Sequence, residues 1–294
     1  MMKLAGKRIL VVGMARSGVA AALLLMHNGA IPVLSDRKKE NAFTHELDEL
    51  KGTACEFRLG EDPVVLLDSV DGLVISPGVP IDAPVVTAAR ENGVPMVGEL
   101  ELAASLLNGD MVAISGTNGK TTTTTLLGKI FENAGRVTHV AGNIGYPLSA
   151  VALESRKEDM TVVEVSSFQL ESIKTFHPHV AALLNITEDH LNRHGTMAQY
   201  IRLKQRIFEN QTANDYAVLN MDDPTLVKMV PKIKSQVAFF SRTQPVENGA
   251  FVDNGKIVWQ WQGARRAICD AAPTTWKTRW RQRLWPAPWV CPRR

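Results

Sequence analysis

Short apolar runs alternate with amphipathic stretches along most of the chain. Residues 8–12, Arg-Ile-Leu-Val-Val, read as a buried parallel strand, Gly13-Met-Ala-Arg-Ser-Gly18 as a turn, and residues 19–28, closed by Gly29, as a helix. Further strands are predicted at 31–34, closed by Ser35-Asp36-Arg37, at 72–76, stopped by Pro77-Gly78, and at 94–97. This succession predicts an α/β unit of Rossmann-like type with a parallel sheet, ending near residue 98. A helix over 99–107 leads through Asn108-Gly109-Asp110 into a second α/β unit. Its strands are predicted at 111–115, 161–165, 180–184, 216–219 and 236–240, followed by a hairpin over 251–261 that turns at Asn254-Gly255.

Composition narrows the class. With 45% hydrophobic and 21% charged residues in 294, the chain is ordinary globular material and can bury a sizeable core. Cys55, Cys269 and Cys291 are too few and too irregular for a disulfide framework or a zinc site. No apolar run approaches the roughly 18 residues of a membrane helix, and the start runs straight into a strand pattern rather than a signal peptide. A cytoplasmic location is therefore expected.

The net charge of +3 has a local origin. Residues 273–294 hold six basic residues and no acid, so the remainder has a net charge of −3, which gives no support for a nucleic-acid surface. Four of the six tryptophans also fall in this stretch, which has neither helix nor strand periodicity. It reads as a basic aromatic tail or as out-of-frame sequence.

Directly after the strand at 111–115, and opening a helix, comes Gly116-Thr117-Asn118-Gly119-Lys120-Thr121-Thr122. Glycines let backbone N–H groups turn onto phosphate oxygens. Lys120 supplies a point charge for the outer phosphates, and the Thr121 hydroxyl can reach a Mg²⁺ ion. Strict phosphate-loop spacing wants a glycine where Ile114 stands, so this is a shortened variant. The alternative is a helix start merely rich in Gly and Thr.

Gly13-x-Ala15-x-x-Gly18 is a weaker motif, with alanine where a dinucleotide fold has its middle glycine. Asp36 stands where a ribose-binding acid would stand, and Ser76 ends a strand on the same side of the sheet. NAD, another nucleotide and a purely structural turn all remain open here. Glu164 ends one strand and Glu188-Asp189-His190 follows another, both near the phosphate loop in a nucleotide-binding sheet. Mg²⁺ prefers oxygen ligands, which favours Glu164. His190 taken alone reads as a surface residue at a helix start or as a ligand, and Lys204 reads as a solvated helix charge.

GTNGKTT, GNIG (142–145), EVSSFQLE (164–171), NITEDHLNRH (185–194) and YIRLKQRIF (200–208) occur in one order, and together they resemble the Mur ligases of peptidoglycan synthesis. The segments GKRILVVGMARSG, ISPGVP and GELEL look most like the branch that joins D-glutamate to UDP-N-acetylmuramoyl-L-alanine. The likeness covers residues 5–272. It implies a UDP-sugar-binding domain over 1–98, a central ATP-binding domain over 99–272, and monomeric action without nucleic-acid or membrane partners.

By this resemblance Gly116 to Thr122 match the family's ATP loop, and Thr121 and Glu164 its Mg²⁺ ligands. His190 matches a ligand of a second Mg²⁺, Lys204 a carbamylated lysine, and Asn143 a residue near ATP and substrate. Lys120, His190 and Lys204 are the implied catalytic set. Arg16, Ser17, Asp36, Arg37 and Ser76 match the UDP-sugar pocket, where Ala15 departs from the usual glycine and puts the tightness of that turn in question.

The resemblance implies an ATP- and Mg²⁺-dependent ligase that works through an acyl phosphate. Family members carry a third domain that holds the incoming amino acid, so this chain is expected to be an inactive truncated ligase. The alternative is a two-domain fragment that binds UDP-sugar and ATP without ligation. Back-translated with CGN arginines and shifted back one base, residues 273–283 permit Ala-His-Asn-Leu-Glu-Asn-Ala-Leu-Ala-Ala-Ala, similar to the family's segment entering that domain. Residues 273–294 are therefore expected to be a frameshift product.

Overall fold

Residues 3–271 are described by the structure, a computed structural model. The basic tail over 273–294, read above as out of frame, lies outside the described residues.

The first unit is a five-stranded parallel sheet in the order β3-β2-β1-β4-β5, built from β1 (Arg8–Val12), β2 (Ile31–Asp36), β3 (Glu56–Leu59), β4 (Gly72–Ile75) and β5 (Met96–Gly98). Helices α1 (Arg16–His27), α2 (Thr44–Glu49) and α3 (Pro84–Glu91) connect these strands. The β1 run is apolar because both faces of the sheet are covered. Leu10, Val33, Leu73 and Ile75 pack with Val85 and Val86 of α3 on one face, while Ile9, Val11, Leu34 and Val74 meet α1 on the other. Helix α1 stops at Asn28 because Gly29 takes the left-handed conformation, φ 78°, of a helix C-terminus.

The second unit is a nine-stranded sheet in the order β14-β13-β12-β11-β10-β9-β6-β8-β7. Its strands are β6 (Asp110–Ser115), β7 (Thr138–Gly142), β8 (Met160–Glu164), β9 (Val180–Leu183), β10 (Tyr216–Asn220), β11 (Gln236–Ser241), β12 (Gly249–Asp253), β13 (Lys256–Trp261) and β14 (Ala264–Asp270). All pairings are parallel except β12–β13 and β13–β14. The predicted hairpin is therefore present and gains a third strand, β14, whose exposed, arginine-containing sequence has no apolar alternation to announce it. Helices are α4 (Glu99–Leu106), α5 (Lys120–Asn133), α6 (Leu148–Glu154), α7 (Ser167–Leu170), α8 (Leu191–His194), α9 (Met197–Gln205) and α10 (Pro224–Val227). Among the described residues no helix is long and apolar enough to cross a membrane.

Helix α4 joins the units. One hydrophobic cluster runs from Ile9 and Leu24 through Leu100 and Ala103 to Leu148, Val163 and Leu183. The two glutamates of Gly98-Glu-Leu-Glu-Leu are buried and used as acceptors. Glu99 takes the Ser149 N–H at 2.8 Å, and burial raises its carboxyl above the usual range. Glu101 accepts from the backbone N–H groups of Lys174, Thr175 and Phe176 at 2.7–3.0 Å and from the Thr175 hydroxyl at 2.6 Å. A Cβ on Gly98 would lie 2.0 Å from the Ser172 hydroxyl, so the close approach of the units requires glycine there.

Candidate functional site

Both glycine turns lie at the C-terminal ends of parallel strands, where an open α/β sheet presents ligand sites. In the first turn Gly13 has φ 98° and Gly18 packs on it so closely that a Cβ would meet the Gly13 carbonyl oxygen at 1.8 Å. Ala15 is extended, φ −82°, a conformation open to any residue, so alanine there does not loosen the turn. Asp36 pins it instead. One carboxylate oxygen accepts the Met14 N–H at 3.0 Å and the other the Lys38 N–H at 2.9 Å. The Ser76 hydroxyl donates to the Gly13 carbonyl at 3.1 Å. Arg16 is exposed and reaches across to the Gly145 carbonyl at 3.0 Å; Ser17 is half-buried on the first turn of α1, and Arg37 is exposed just past β2.

The second turn joins β6 to α5. Gly116 has φ 147°, and a Cβ on it would come within 3.1 Å of the Leu184 Cβ; Gly119 is left-handed at φ 83° and starts the helix. The loop is fastened to the segment after β9. The Thr117 N–H donates to the Asn185 carbonyl at 2.9 Å, and the Thr117 hydroxyl donates to the Thr187 carbonyl at 3.1 Å and accepts its N–H at 3.0 Å. Asn118 and Asn185 exchange two hydrogen bonds at 2.9 Å. The first-turn N–H groups of α5, on Lys120, Thr121 and Thr122, have no partner within the helix, as at any helix start. Lys120 folds back, its Nζ 2.7 Å from the Thr117 carbonyl.

Glu164 ends β8 beneath this loop, 1% exposed. One of its oxygens accepts the Thr121 hydroxyl at 2.8 Å and the other the Asn143 amide at 2.8 Å. The Asn143 N–H also donates to the Glu164 carbonyl at 2.9 Å. Gly142 makes that approach possible, since a Cβ there would stand 2.3 Å from the Glu164 carbonyl oxygen.

Lys204 is not the solvated charge its local pattern suggests. It is 2% exposed, with its Nζ donating to the Gly116 carbonyl at 2.7 Å and to the Ser115 hydroxyl at 3.2 Å. Burial first, and the nearby Lys120 charge second, push its amine down to about 7. The reason for the misreading is the register of α9. Tyr200, Leu203, Lys204 and Ile207 form one buried stripe, and the lysine lies in it.

The candidate metal ligands are only partly brought together. Thr121 and Glu164 touch, whereas His190 sits half-exposed at the start of α8 with left-handed φ 52°, its Nε2 3.3 Å from Asp189 and its ring 4.9 Å from that of Phe168. Among the described residues no group of three or more His, Cys, Asp or Glu side chains is arranged to hold a metal ion. The pair of oxygen donors at the phosphate-loop helix is nonetheless of the hard kind that Mg²⁺ takes.

The family description "Mur ligase middle domain" matches residues 114–265, and "Mur ligase MurD-like, N-terminal domain" matches residues 7–98. The chain belongs to the Mur ligase family. This Mur ligase chain is similar to the UDP-N-acetylmuramoylalanine--D-glutamate ligase of Pelotomaculum thermopropionicum, at 47% identity over 263 residues, covering 90% of this chain and 58% of that protein. It is likewise similar to the protein of that name from a Thermoanaerobacter species, at 44% identity over 269 residues, covering 92% and 59%. The chain thus spans somewhat under 60% of the length of these curated relatives. Among solved structures, the UDP-N-acetylmuramate:L-alanyl-gamma-D-glutamyl-meso-diaminopimelate ligase of Neisseria meningitides shares the fold with a TM-score of 0.60 at 18% identity, over 91% of this chain and 85% of that one. The murein peptide ligase of Psychrobacter arcticus does so with a TM-score of 0.57 at 16% identity, over 90% and 61%.

Local sequence reading of the Mur ligase chain passes over a second group. Phe168, Glu171, Arg193, His194 and Tyr200 pack behind the phosphate loop. The Tyr200 hydroxyl lies 3.2 Å from that of Thr117, and its ring stacks on buried His194 at 5.3 Å. His194 Nε2 is 2.9 Å from the Ser167 hydroxyl, and burial holds its imidazole below the ordinary range. The signal was available in the spacing, since His194 stands one turn beyond His190 and the stripe of α9 begins at Tyr200.

Proposed function

We propose that this chain carries the sugar-nucleotide and ATP sites of the Mur ligase that joins D-glutamate to UDP-N-acetylmuramoyl-L-alanine. The observation that carries the reading is Glu164. Its two oxygens tie Thr121 of the phosphate loop to Asn143, and the Gly142–Gly145 segment is touched by Arg16 of the first glycine turn. That contact supports a reading in which the two turns address one cleft. Names of relatives at 44–47% identity and the match to a MurD-like N-terminal domain support the choice of branch.

In this reading Arg16, Ser17, Asp36, Arg37 and Ser76 hold the UDP-sugar, while Gly116 to Thr122 hold ATP. The L-alanyl carboxylate attacks the γ-phosphate, giving an acyl phosphate and ADP, and the D-glutamate amine then displaces phosphate at the acyl carbon. Two anions must meet in the first step. Lys120 and the N–H groups at the start of α5 lower that repulsion, and positioning supplies most of the remainder. Thr121 and Glu164 would hold Mg²⁺, which neutralises phosphate charge when bound, and His190 would serve a second ion. Asn143 orients the reacting carboxylate from the Glu164 side.

Lys204, with its amine pushed down to about 7, is about half free base near neutral pH, the form that adds CO₂. Carbamylated, it faces the loop as an anion. The test is ADP release from ATP and Mg²⁺ by the full chain, with and without UDP-N-acetylmuramoyl-L-alanine and in the absence of D-glutamate. Sugar-dependent ADP release is expected. Tight binding of both ligands with no ADP would leave a binding module in place of a ligase.

A further inference from the structure

Arg193 has no part in the chemistry above, yet its guanidinium is held by a carboxylate, a carbonyl and an aromatic ring. Its Nη2 donates to Glu171 at 2.7 Å and to the Val79 carbonyl at 3.4 Å, and its guanidinium carbon lies 4.4 Å over the Phe168 ring. Glu171, itself buried, also faces His194 at 3.4 Å, so the arginine is held on a fixed carboxylate.

The contacts lead in two directions. Val79 closes a turn with Ser76, its N–H on the Ser76 carbonyl at 2.9 Å, and Ser76 in turn holds the Gly13 carbonyl. Phe168 lies 4.9 Å from the His190 ring and 5.3 Å from that of His194. A planar guanidinium can satisfy a carboxylate, a carbonyl and an aromatic face together, which an ammonium cannot. The Val79 contact is long for a hydrogen bond, hence the weakest joint and the one that a small shift of the Ser76–Val79 turn tightens.

We propose that Arg193 is a positioning residue that transmits occupation of the Ser76 pocket, through Phe168, to the orientation of His190. The inference rests on the reading that a sugar nucleotide binds beside Ser76. Binding would draw the turn onto Arg193, settle the guanidinium on Phe168 and fix the ring against which His190 leans. Coupling of this kind links a site in one unit to a residue of the other through packed side chains, with Phe168 and Glu171 lining the same cavity as Ser76 and Val79.

The experiment is NMR of the histidine Cε1–H groups in the full chain, titrated with UDP-N-acetylmuramoyl-L-alanine. The His190 signal is assigned by its loss in His190→Gln. Residues His177 and His179, which pair with Asp215 at the opposite end of the sheet, serve as internal controls of fold. The parent is expected to bind and to shift the His190 signal by several linewidths. Arg193→Met and Arg193→Lys should bind by calorimetry within about threefold of the parent, under 1 kcal/mol, with His190 unmoved. Phe168→Leu, which leaves both polar tethers of Arg193 in place, should silence His190 in the same way. An equal His190 shift in the parent and in any one of these variants with intact control signals overturns the proposal. Binding by the parent without movement of His190 also overturns it and leaves the substrate reading standing, whereas no binding by the parent removes the substrate reading itself.

Discussion

The two ends of the nine-stranded sheet handle buried charge in opposite ways. At the N-terminal ends of its strands every buried acid is matched. Asp159 accepts from His139 Nε2 at 2.8 Å and from the Arg156 N–H at 3.0 Å. Asp215 accepts from His177, His179 and both the N–H and hydroxyl of Thr212, at 2.6–3.1 Å. At the C-terminal ends Lys204 is buried against a carbonyl and a hydroxyl, with no carboxylate in hydrogen-bond contact, and Glu164 accepts only from neutral groups. Histidine–aspartate pairs are the more conspicuous chemistry, yet they are satisfied and serve the fold. Buried charge without a hydrogen-bonded ion-pair partner distinguishes the end at which the proposed ligand site lies. An anion and cations arriving there would add to the longer-range attraction that Asp189 and Glu164 exert on Lys204.

The largest expected effect that would break this contrast lies at Lys204. Its amine falls from 10.5 unfolded to about 7 folded, so the folded state binds fewer protons between those values. Stability should therefore rise with pH from about 7 to 10.5, and the full penalty of the buried cation is present below about 7. In CO₂-depleted buffer Lys204→Met should remove that slope and raise stability near pH 6 by on the order of 3 kcal/mol, read by urea unfolding across pH. A parallel pH profile in parent and variant would show that Lys204 is compensated after all.

A smaller effect is expected at the opposite end. Burial works to raise the Asp215 carboxyl, but hydrogen bonds from His177, Thr212 and His179 hold it down to about 2, against 3.8 unfolded. Its contribution is complete above 3.8 and is lost as pH falls to about 2. Asp215→Asn should cost on the order of 1 kcal/mol near neutral pH, with the difference from the parent closing over that acid window. Thermal unfolding at pH 6, 4 and 2.5 checks it, and a difference that widened in acid would reverse the assigned sign.

Much of this was legible in the sequence where burial leaves a pattern. The run at residues 8–12, the glycine loop after β6 and the turn at Asn254-Gly255 each declare their element through apolar periodicity or obligatory backbone freedom. Strands β3 and β7 and the added strand β14 do not, because they are short or exposed and their register is set by neighbours. Within the site, Gly116 to Thr122 and Glu164 are visible as motif and strand end. Lys204 was misread locally because a charge in an apolar stripe looks like an error of pattern until the stripe is traced from Tyr200 to Ile207. The role of Arg193 depends on a contact with Val79, far away in sequence, that no spacing rule conveys.

The central claim is that the glycine loop at 116–122 is a phosphate site whose charge is supplied by Lys120. Calorimetric titration of the full chain with Mg–ATP tests it most directly, comparing the parent with Lys120→Ala. The Lys120 side chain makes one hydrogen bond, to the Thr117 carbonyl, and its charge opposes that of Lys204, so the variant should unfold no more readily than the parent. Saturable binding by the parent and a loss of at least about tenfold in the variant, 1.4 kcal/mol or more, is the result expected. Equal affinity in the two proteins would contradict it.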